Sequence, residues 1–164
     1  MQRTLLLLKP DAVDRGLVGE IIARFERAGL KIVGLKMLWP KKEHAELHYT
    51  EDLAKRRGQH VRDLMIEMLM SGPVVAVCLE GVEAVELVRK MVGETEPKAA
   101  APGTVRGDFA HVSFKHADSK KMAVFNLVHA SASVEEAKAE LAVWFSDDEL
   151  HNYKPGYTRH TIAY

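Results

Sequence analysis

The sequence predicts an α/β chain of the α+β type: one four-stranded antiparallel sheet in βαββαβ order, with helices mostly on one face. Three observations carry this. Short apolar runs of strand composition recur at "RTLLLLK", "LKIVGLKMLW", "VVAVCLE" and "AVFNLVH". The segments between them repeat apolar residues at helical spacing. The 164 residues, 47% hydrophobic, suffice for one core, and no shift in composition marks a second domain, so residues 1–164 are read as a single domain.

The elements follow in order. "RTLLLLK" is the first strand, and the turn residues "PDAVDRG" end it. Leu17, Val18, Ile21, Ile22 and Phe25 then mark a helix, with Gly29 where a C-terminal cap belongs. "LKIVGLKMLW" is the second strand, stopped by Pro40. Residues 42–70 are charged and helical in composition, and Gly58 divides them into two helices. Pro73 opens the third strand, "VVAVCLE". Val82, Val85, Val88, Met91 and Val92 give a helix that ends at Gly93. Residues 94–122, with prolines, glycines and an alanine run, read as irregular. "AVFNLVH" is the fourth strand, and "SVEEAKAELAVWF" is a helix started by Ser133, with Glu136 completing a capping box. This order, with a helical pair after the second strand, matches a ferredoxin-like split βαβ sheet.

Charge and composition remove several function classes. The 23 basic and 23 acidic residues balance, so no global field gathers nucleic acid or an anionic membrane, and any phosphate must be held by a local cluster. The lone cysteine, Cys78, excludes an intrachain disulfide framework and reads as a buried small hydrophobe. A reducing, cytoplasmic setting is the expectation. The opening "LLLL" is cut short by Lys9 and Pro10, too brief for a signal or membrane segment.

Two places carry chemistry. His129 stands where the apolar "FNLV" gives way to the small residues of "HASAS", the exit of a buried strand, where a scaffold can present a reactive group. The segment "GETEPKAAAPGTVRGDF" is long for a loop in a compact domain and holds Thr95, Thr104 and Arg106, with Gly103 and Gly107 freeing backbone donors. A guanidinium, hydroxyls and convergent N–H groups are the parts of an anion site. Arg89, near the end of the preceding helix, points the same way. His44 and His48 are spaced i, i+4, but with no third ligand in view a solvated helix face is expected over a metal site.

Taken together, "KPDAVDRGLVGEIIARFERAGLKIVGLKM", "SGPVVAVCLEG", "GETEP…PGTVRGDF" and "NLVHASAS…E…WF" resemble the nucleoside diphosphate kinase family, in the family's order and over nearly the whole chain. The resemblance implies the ferredoxin-like core, a histidine phosphorylated by one nucleotide and dephosphorylated by another in a ping-pong cycle, and a Mg²⁺-bound nucleotide substrate with no metal ligated directly by protein. It also implies a closed homo-oligomer, hexamer or tetramer. Carried onto this chain, it makes His129 the nucleophile and Glu140 the carboxylate that hydrogen-bonds its ring, with Ser131 orienting Glu140. Lys9, Arg89, Thr95 and Arg106 become phosphate contacts, the last two in a phosphate-binding loop at 94–109. Asn126 becomes the sugar contact, and Tyr49 a neighbour of the nucleophile.

The chain also departs from the family pattern. Ala130 and Ala132 stand where the family usually has glycine and aspartate. Extra residues near 52–60 precede "SGP", and the phenylalanine that stacks on the base is absent, with His60 or Val61 nearest its place; Val61 is taken as the base-facing position. A second insertion lies near 110–122, where "HADS" at His116 imitates the segment at His129 without the asparagine or the capped helix. The tail "NYKPGYTRHTIAY" is expected to pack on a neighbouring subunit. Two rival functions remain: a nucleotide-binding regulator with little turnover, and an RNA-binding module using exposed sheet aromatics, which the neutral charge and the few strand aromatics, Trp39 and Phe125, disfavour.

Overall fold

A computed structural model of the chain describes residues 1–162. Its sheet has the order β2-β3-β1-β4, all neighbours antiparallel, with β1 at Gln2–Leu8, β2 at Lys31–Leu38, β3 at Val74–Gly81 and β4 at Val128–Ala130. This is the expected ferredoxin-like sheet. β1 and β3 form because their apolar runs are buried on both faces, so continuous rather than alternating hydrophobicity is what these positions require.

The helices do not gather on one side. Leu6, Leu8, Val77 and Leu79 face a core with α2 (Val18–Arg27) and α6 (Ala84–Val92), through Ile21, Phe25, Ala84, Val88 and Val92. Leu5, Leu7, Ala76 and Cys78 face a second core with α3 (Lys42–His48), α5 (Gln59–Met70) and α9 (Val134–Trp144), through Ala45, Ile66, Leu69, Leu141 and Trp144. Both faces of the sheet are covered at β1 and β3, where an RNA-binding module of this fold would need an open aromatic platform.

Other expectations change in detail. "PDAVDRG" contains a short helix, α1 (Pro10–Asp14), with Pro10 at its first position, where a missing N–H costs nothing. Residues 42–70 hold three helices, α4 (Glu51–Arg57) being the additional one; Gly58, at φ +95, divides α4 from α5. The irregular stretch contains a 3₁₀ turn at Pro97–Ala99, α7 (Val105–Phe109) and α8 (Phe114–Ser119), and the insertion docks through Phe114 N–H on Glu96 and Lys98 N–H on the Val112 carbonyl. Ser133 caps α9 by accepting the Glu136 N–H, while the Glu136 carboxylate reaches the Ala132 N–H rather than closing the full box.

The start of the tail and the residue before it bond to β2 of their own chain. His151 N–H bonds to the Val33 carbonyl at 2.8 Å, Tyr153 Oη to the Ile32 carbonyl at 2.9 Å and Lys31 Nζ to the Tyr153 carbonyl at 3.0 Å. It ends in α10 (Thr158–Thr161), and the last two tail residues lie outside the described range.

The largest revision is β4, which begins at Val128 instead of 123. Leu127 has φ +69, a left-handed conformation that breaks the strand pattern, so His129 sits in the middle of a three-residue strand and not at the exit of a long one.

Candidate active site

Sheet register brings the chemistry to one place. His129 pairs with Leu7, and the Lys9 N–H bonds to the Leu127 carbonyl at 2.8 Å, extending the ladder past the end of β1. Residues 5, 7 and 9 share a face, and Leu5 and Leu7 belong to the α3/α5/α9 core. Lys9 and His129 therefore project beneath those helices.

His129 meets Glu140 from α9: its Nε2 lies 2.7 Å from Glu140 Oε1, and Ser131 Oγ donates to Oε2 at 2.6 Å. The carboxylate accepts, so Nε2 carries the proton and Nδ1 keeps its lone pair. The side chain is 26% exposed, enough for a ligand to reach it. Ala130 and Ala132 leave this triad intact, since it uses Ser131 and Glu140.

Below His129 lies His48, which the helical spacing had placed on a solvated face. It is 8% exposed, and its ring meets that of His129 edge-on, centroids 4.4 Å apart at 86°. Trp144 Nε1 donates to its Nδ1 at 3.3 Å, while His44 stacks on Trp144. Burial, then the nearby His129 and Lys9, pulls the His48 pKa well below its ordinary value and keeps the ring neutral. Ring nitrogens of His48 and His129 and a Glu140 oxygen lie within 4.8 Å of one another. The Trp144 N–H takes the Nδ1 lone pair of His48, so the other nitrogen of that neutral ring carries the proton and His48 has no free lone pair for a cation. Sequence reasoning missed His48; Ala45, His48 and Tyr49 at i, i+3, i+4 are the inward stripe that would have revealed it.

A cationic cluster stands beside the histidine. Lys9 is 1% exposed, and its Nζ donates to Asn126 Oδ1 in a short bond; Asn126 Nδ2 donates to the Thr95 carbonyl at 2.7 Å. Burial lowers the Lys9 pKa to about 8, with Asp11 raising it and Arg106 lowering it. Arg106 enters from α7 and bridges three carbonyls: Asn126 at 3.1 Å, Gly93 at 2.8 Å and Val128 at 2.6 Å. A guanidinium has five N–H donors, so two remain. Burial and Arg89 bring Arg106 down to about 10, still cationic at neutral pH.

The loop that delivers Arg106 is tightly built. Gly93 has φ +85, and a Cβ there would run into Thr104; a Cβ at Gly107 would overlap the Ala101 carbonyl. Asp108 accepts the Gly103 N–H and pairs with Arg24, each at 2.7 Å, so "RGD" is structural on this loop. Tyr49 is buried at the end of α3, its carbonyl accepting Arg62 Nε at 2.7 Å. Burial and the carboxylates of Asp11 and Glu140 push its phenol well above the ordinary range, so it stays protonated as a donor.

Of the expected residues, Lys9, Tyr49, Arg106, Asn126, His129, Ser131 and Glu140 converge. Arg89 and Thr95 are exposed at the margin, Arg89 close enough to perturb Arg106 and Thr95 joined through its carbonyl to Asn126. Val61 is 38% exposed on α5, and among the described residues no hydrogen bond or ring contact joins it to the cluster. The arrangement is a nucleophilic imidazole with a fixed tautomer beside buried donors suited to phosphate.

The profile described as nucleoside diphosphate kinase matches residues 2–150. A relative of that name from Borreliella burgdorferi is 45% identical over 155 residues, covering 94% of this chain and 93% of its own length. One from Pyrococcus abyssi is 50% identical over 152 residues, covering 93% and 89%. The Borrelia burgdorferi nucleoside-diphosphate kinase, solved as a transition-state mimic with bound vanadate and ADP, superposes with TM-score 0.96 at 43% identity, covering 99% of this chain and 97% of the other. The Halobacterium salinarum nucleoside diphosphate kinase in complex with CDP gives 0.83 at 36% identity, covering 98% and 97%.

Proposed function

The chain belongs to the nucleoside diphosphate kinase family, and we propose that its reaction, transfer of the γ-phosphate of a nucleoside triphosphate to a nucleoside diphosphate, passes through a phosphohistidine at His129. The observation that carries this is the Glu140 bond to Nε2, which leaves Nδ1 as the attacking nitrogen. The Nδ1 lone pair forms a bond to the γ-phosphorus while the bond to the bridging oxygen breaks, its electrons leaving on the departing diphosphate. The imidazole becomes cationic, and Glu140 stabilises that charge. A second diphosphate then takes the phosphoryl group by the reverse path.

The transition state is loose and anionic, so positioning and charge supply most of the acceleration. The two uncommitted donors of Arg106, the remaining protons of Lys9 and the Tyr49 hydroxyl face the phosphoryl oxygens. Arg89 and Thr95 bind the outer phosphates from the 94–109 loop, and Asn126 binds the sugar hydroxyl. Mg²⁺ enters as part of the nucleotide substrate. The donors here suit that role: both Glu140 oxygens are used by His129 and Ser131, and one Asp11 oxygen by the Leu127 N–H. Val61 faces the base loosely, so discrimination among bases is modest.

Residues 1–164 act as one catalytic domain in a homo-oligomer, tetramer or hexamer. Leu35 and Met37 on β2 and Trp39 just beyond it are exposed, and Trp39 with Phe125 borders a cleft of about 740 Å³; these are the surfaces a second copy would cover. The cytoplasm, where nucleotide pools lie, is the setting; among the described residues no helix is long and apolar enough to cross a membrane.

Incubation with γ-labelled ATP and Mg²⁺, followed by isolation, tests this reading. The label should be acid-labile and base-stable, and should move to CDP on addition. Nucleotide binding without a labelled protein would leave the regulator reading instead.

A further inference from the structure

The segment that delivers His129 holds a backbone conformation an ordinary residue resists. Leu127 has φ +69, and the Val128 N–H donates to the Asn126 carbonyl, two residues back, at 2.8 Å. A hydrogen bond closed over one left-handed residue is the rare, strained form of γ-turn. Leu127 is 1% exposed, so its side chain is fixed in the core. The turn has Asn126 on one side and His129 just beyond the other, and β4 is three residues long, too short to set their geometry alone.

Three interactions hold the turn. The Leu127 carbonyl accepts the Lys9 N–H, and Arg106 bridges the carbonyls of Asn126 and Val128. Both come from residues already assigned to phosphate. The third is Asp11 in α1, whose Oδ2 accepts the Leu127 N–H at 2.9 Å. Its other oxygen, Oδ1, is buried with no hydrogen-bond partner, a cost that an ordinary structural contact gives no reason to keep.

We propose that Asp11 is a positioning residue for phosphoryl transfer, whose carboxylate clamps the left-handed turn at Leu127 and so sets where Asn126 and His129 stand. This rests on His129 being the phosphorylated residue. Without the clamp the turn relaxes toward ordinary φ and His129 leaves its line of attack, whereas Lys9 stays anchored between β1 and α1 and Arg106 on α7. The loss falls on kcat and spares KM. A competing role, in which Asp11 merely supplies charge to Lys9, predicts different variants to fail: the amide of Asp11→Asn can still accept the Leu127 N–H but carries no charge.

The test is kcat and KM with ATP and CDP, with single-turnover labelling in parallel. Asp11→Ala should lower kcat about tenfold or more with KM within about threefold, and Asp11→Asn should keep most of the rate. Position 127 supplies the second arm, because alanine and glycine both lose the leucine packing and differ in their tolerance of positive φ. With Asp11 present, Leu127→Ala and Leu127→Gly should run within about twofold of each other; combined with Asp11→Ala, the glycine variant should run about fivefold or more faster. Should Asp11→Ala not fold, the same pair is read with Asp11→Ser. An unchanged kcat in Asp11→Ala, an Asp11→Asn as impaired as the alanine variant, or no glycine advantage overturns the clamp. Wild-type protein that takes no label on His129 overturns the site assignment instead, and labelled wild type separates the two failures.

Discussion

Raising the pH from 7 to 9 should weaken nucleotide binding through one lysine. Lys9 is 1% exposed, and burial lowers its ammonium from 10.5 to about 8. It is then protonated in about nine-tenths of free molecules at pH 7, about half at pH 8 and about a tenth at pH 9. The charged form makes a hydrogen bond to phosphate of about 1.5–3 kcal/mol, so ADP affinity should fall about five- to tenfold across that range. The phosphates of ADP are already ionised there, since their second ionisation lies near 6. Bound phosphate raises the pKa of the adjacent ammonium, so binding near pH 8.5 takes up protons, and kcat/KM should break at lower pH than kcat. The stability sign is opposite to that of a salt-bridged lysine. The folded pKa lies below the unfolded one, so between about pH 8 and 10.5 the unfolded chain holds more protons. Stability from this group is complete above about 10.5 and is lost as pH falls through 8, by about 3 kcal/mol. Calorimetric titration with ADP from pH 6.5 to 9.5, in two buffers of different ionisation heat, measures affinity and proton uptake together, with Lys9→Met as the control. Affinity independent of pH, or the same decline in Lys9→Met, would refute the reasoning.

Other outcomes follow from the same geometry. Glu140→Gln keeps a hydrogen bond to His129 but loses the charge that stabilises the imidazolium, so kcat should drop about tenfold or more while ADP affinity holds; a change in affinity alone would contradict this role. Arg106→Met strips donors from the carbonyls of Gly93, Asn126 and Val128. It should cost about 3 kcal/mol or more, lowering Tm by roughly 6–12 °C besides abolishing labelling, and an unchanged melting curve would count against the bridging role. Val61→Phe should tighten binding of both ADP and CDP about tenfold, as a stacked aromatic is worth about 1–3 kcal/mol; unchanged affinity means that α5 turns this position away from the base.

Strands β1 and β3 were legible because burial on both faces writes itself as an unbroken apolar run. β4 was not, because the break at Leu127 is a backbone event: leucine is as hydrophobic in a γ-turn as in a strand, and the bonds that hold it there come from Lys9, Arg106 and Asp11, the last 116 positions away in sequence. The two-sided helix cover was hidden for a related reason, since a run such as "LLLL" does not say which neighbour lies on which face. Residues with motif context, His129, Arg106 and Lys9, could be placed from sequence. Trp144, Arg62 and Asp11 act through contacts between separate segments that spacing alone does not encode, and the tail's hold on β2 depends on one backbone N–H, one phenol and the Lys31 ammonium.

The central claim is that Nδ1 of His129 carries the phosphoryl group because Glu140 holds Nε2. Phosphorus NMR of the phosphoenzyme, prepared with ATP and Mg²⁺ and kept at alkaline pH, distinguishes the two ring isomers directly, with His129→Ala as the blank. The account predicts a single phosphohistidine resonance of the Nδ1 type that is absent from His129→Ala and vanishes on adding CDP. A resonance of the Nε2 type, or one that persists in His129→Ala and so belongs to another residue such as His116, would contradict it.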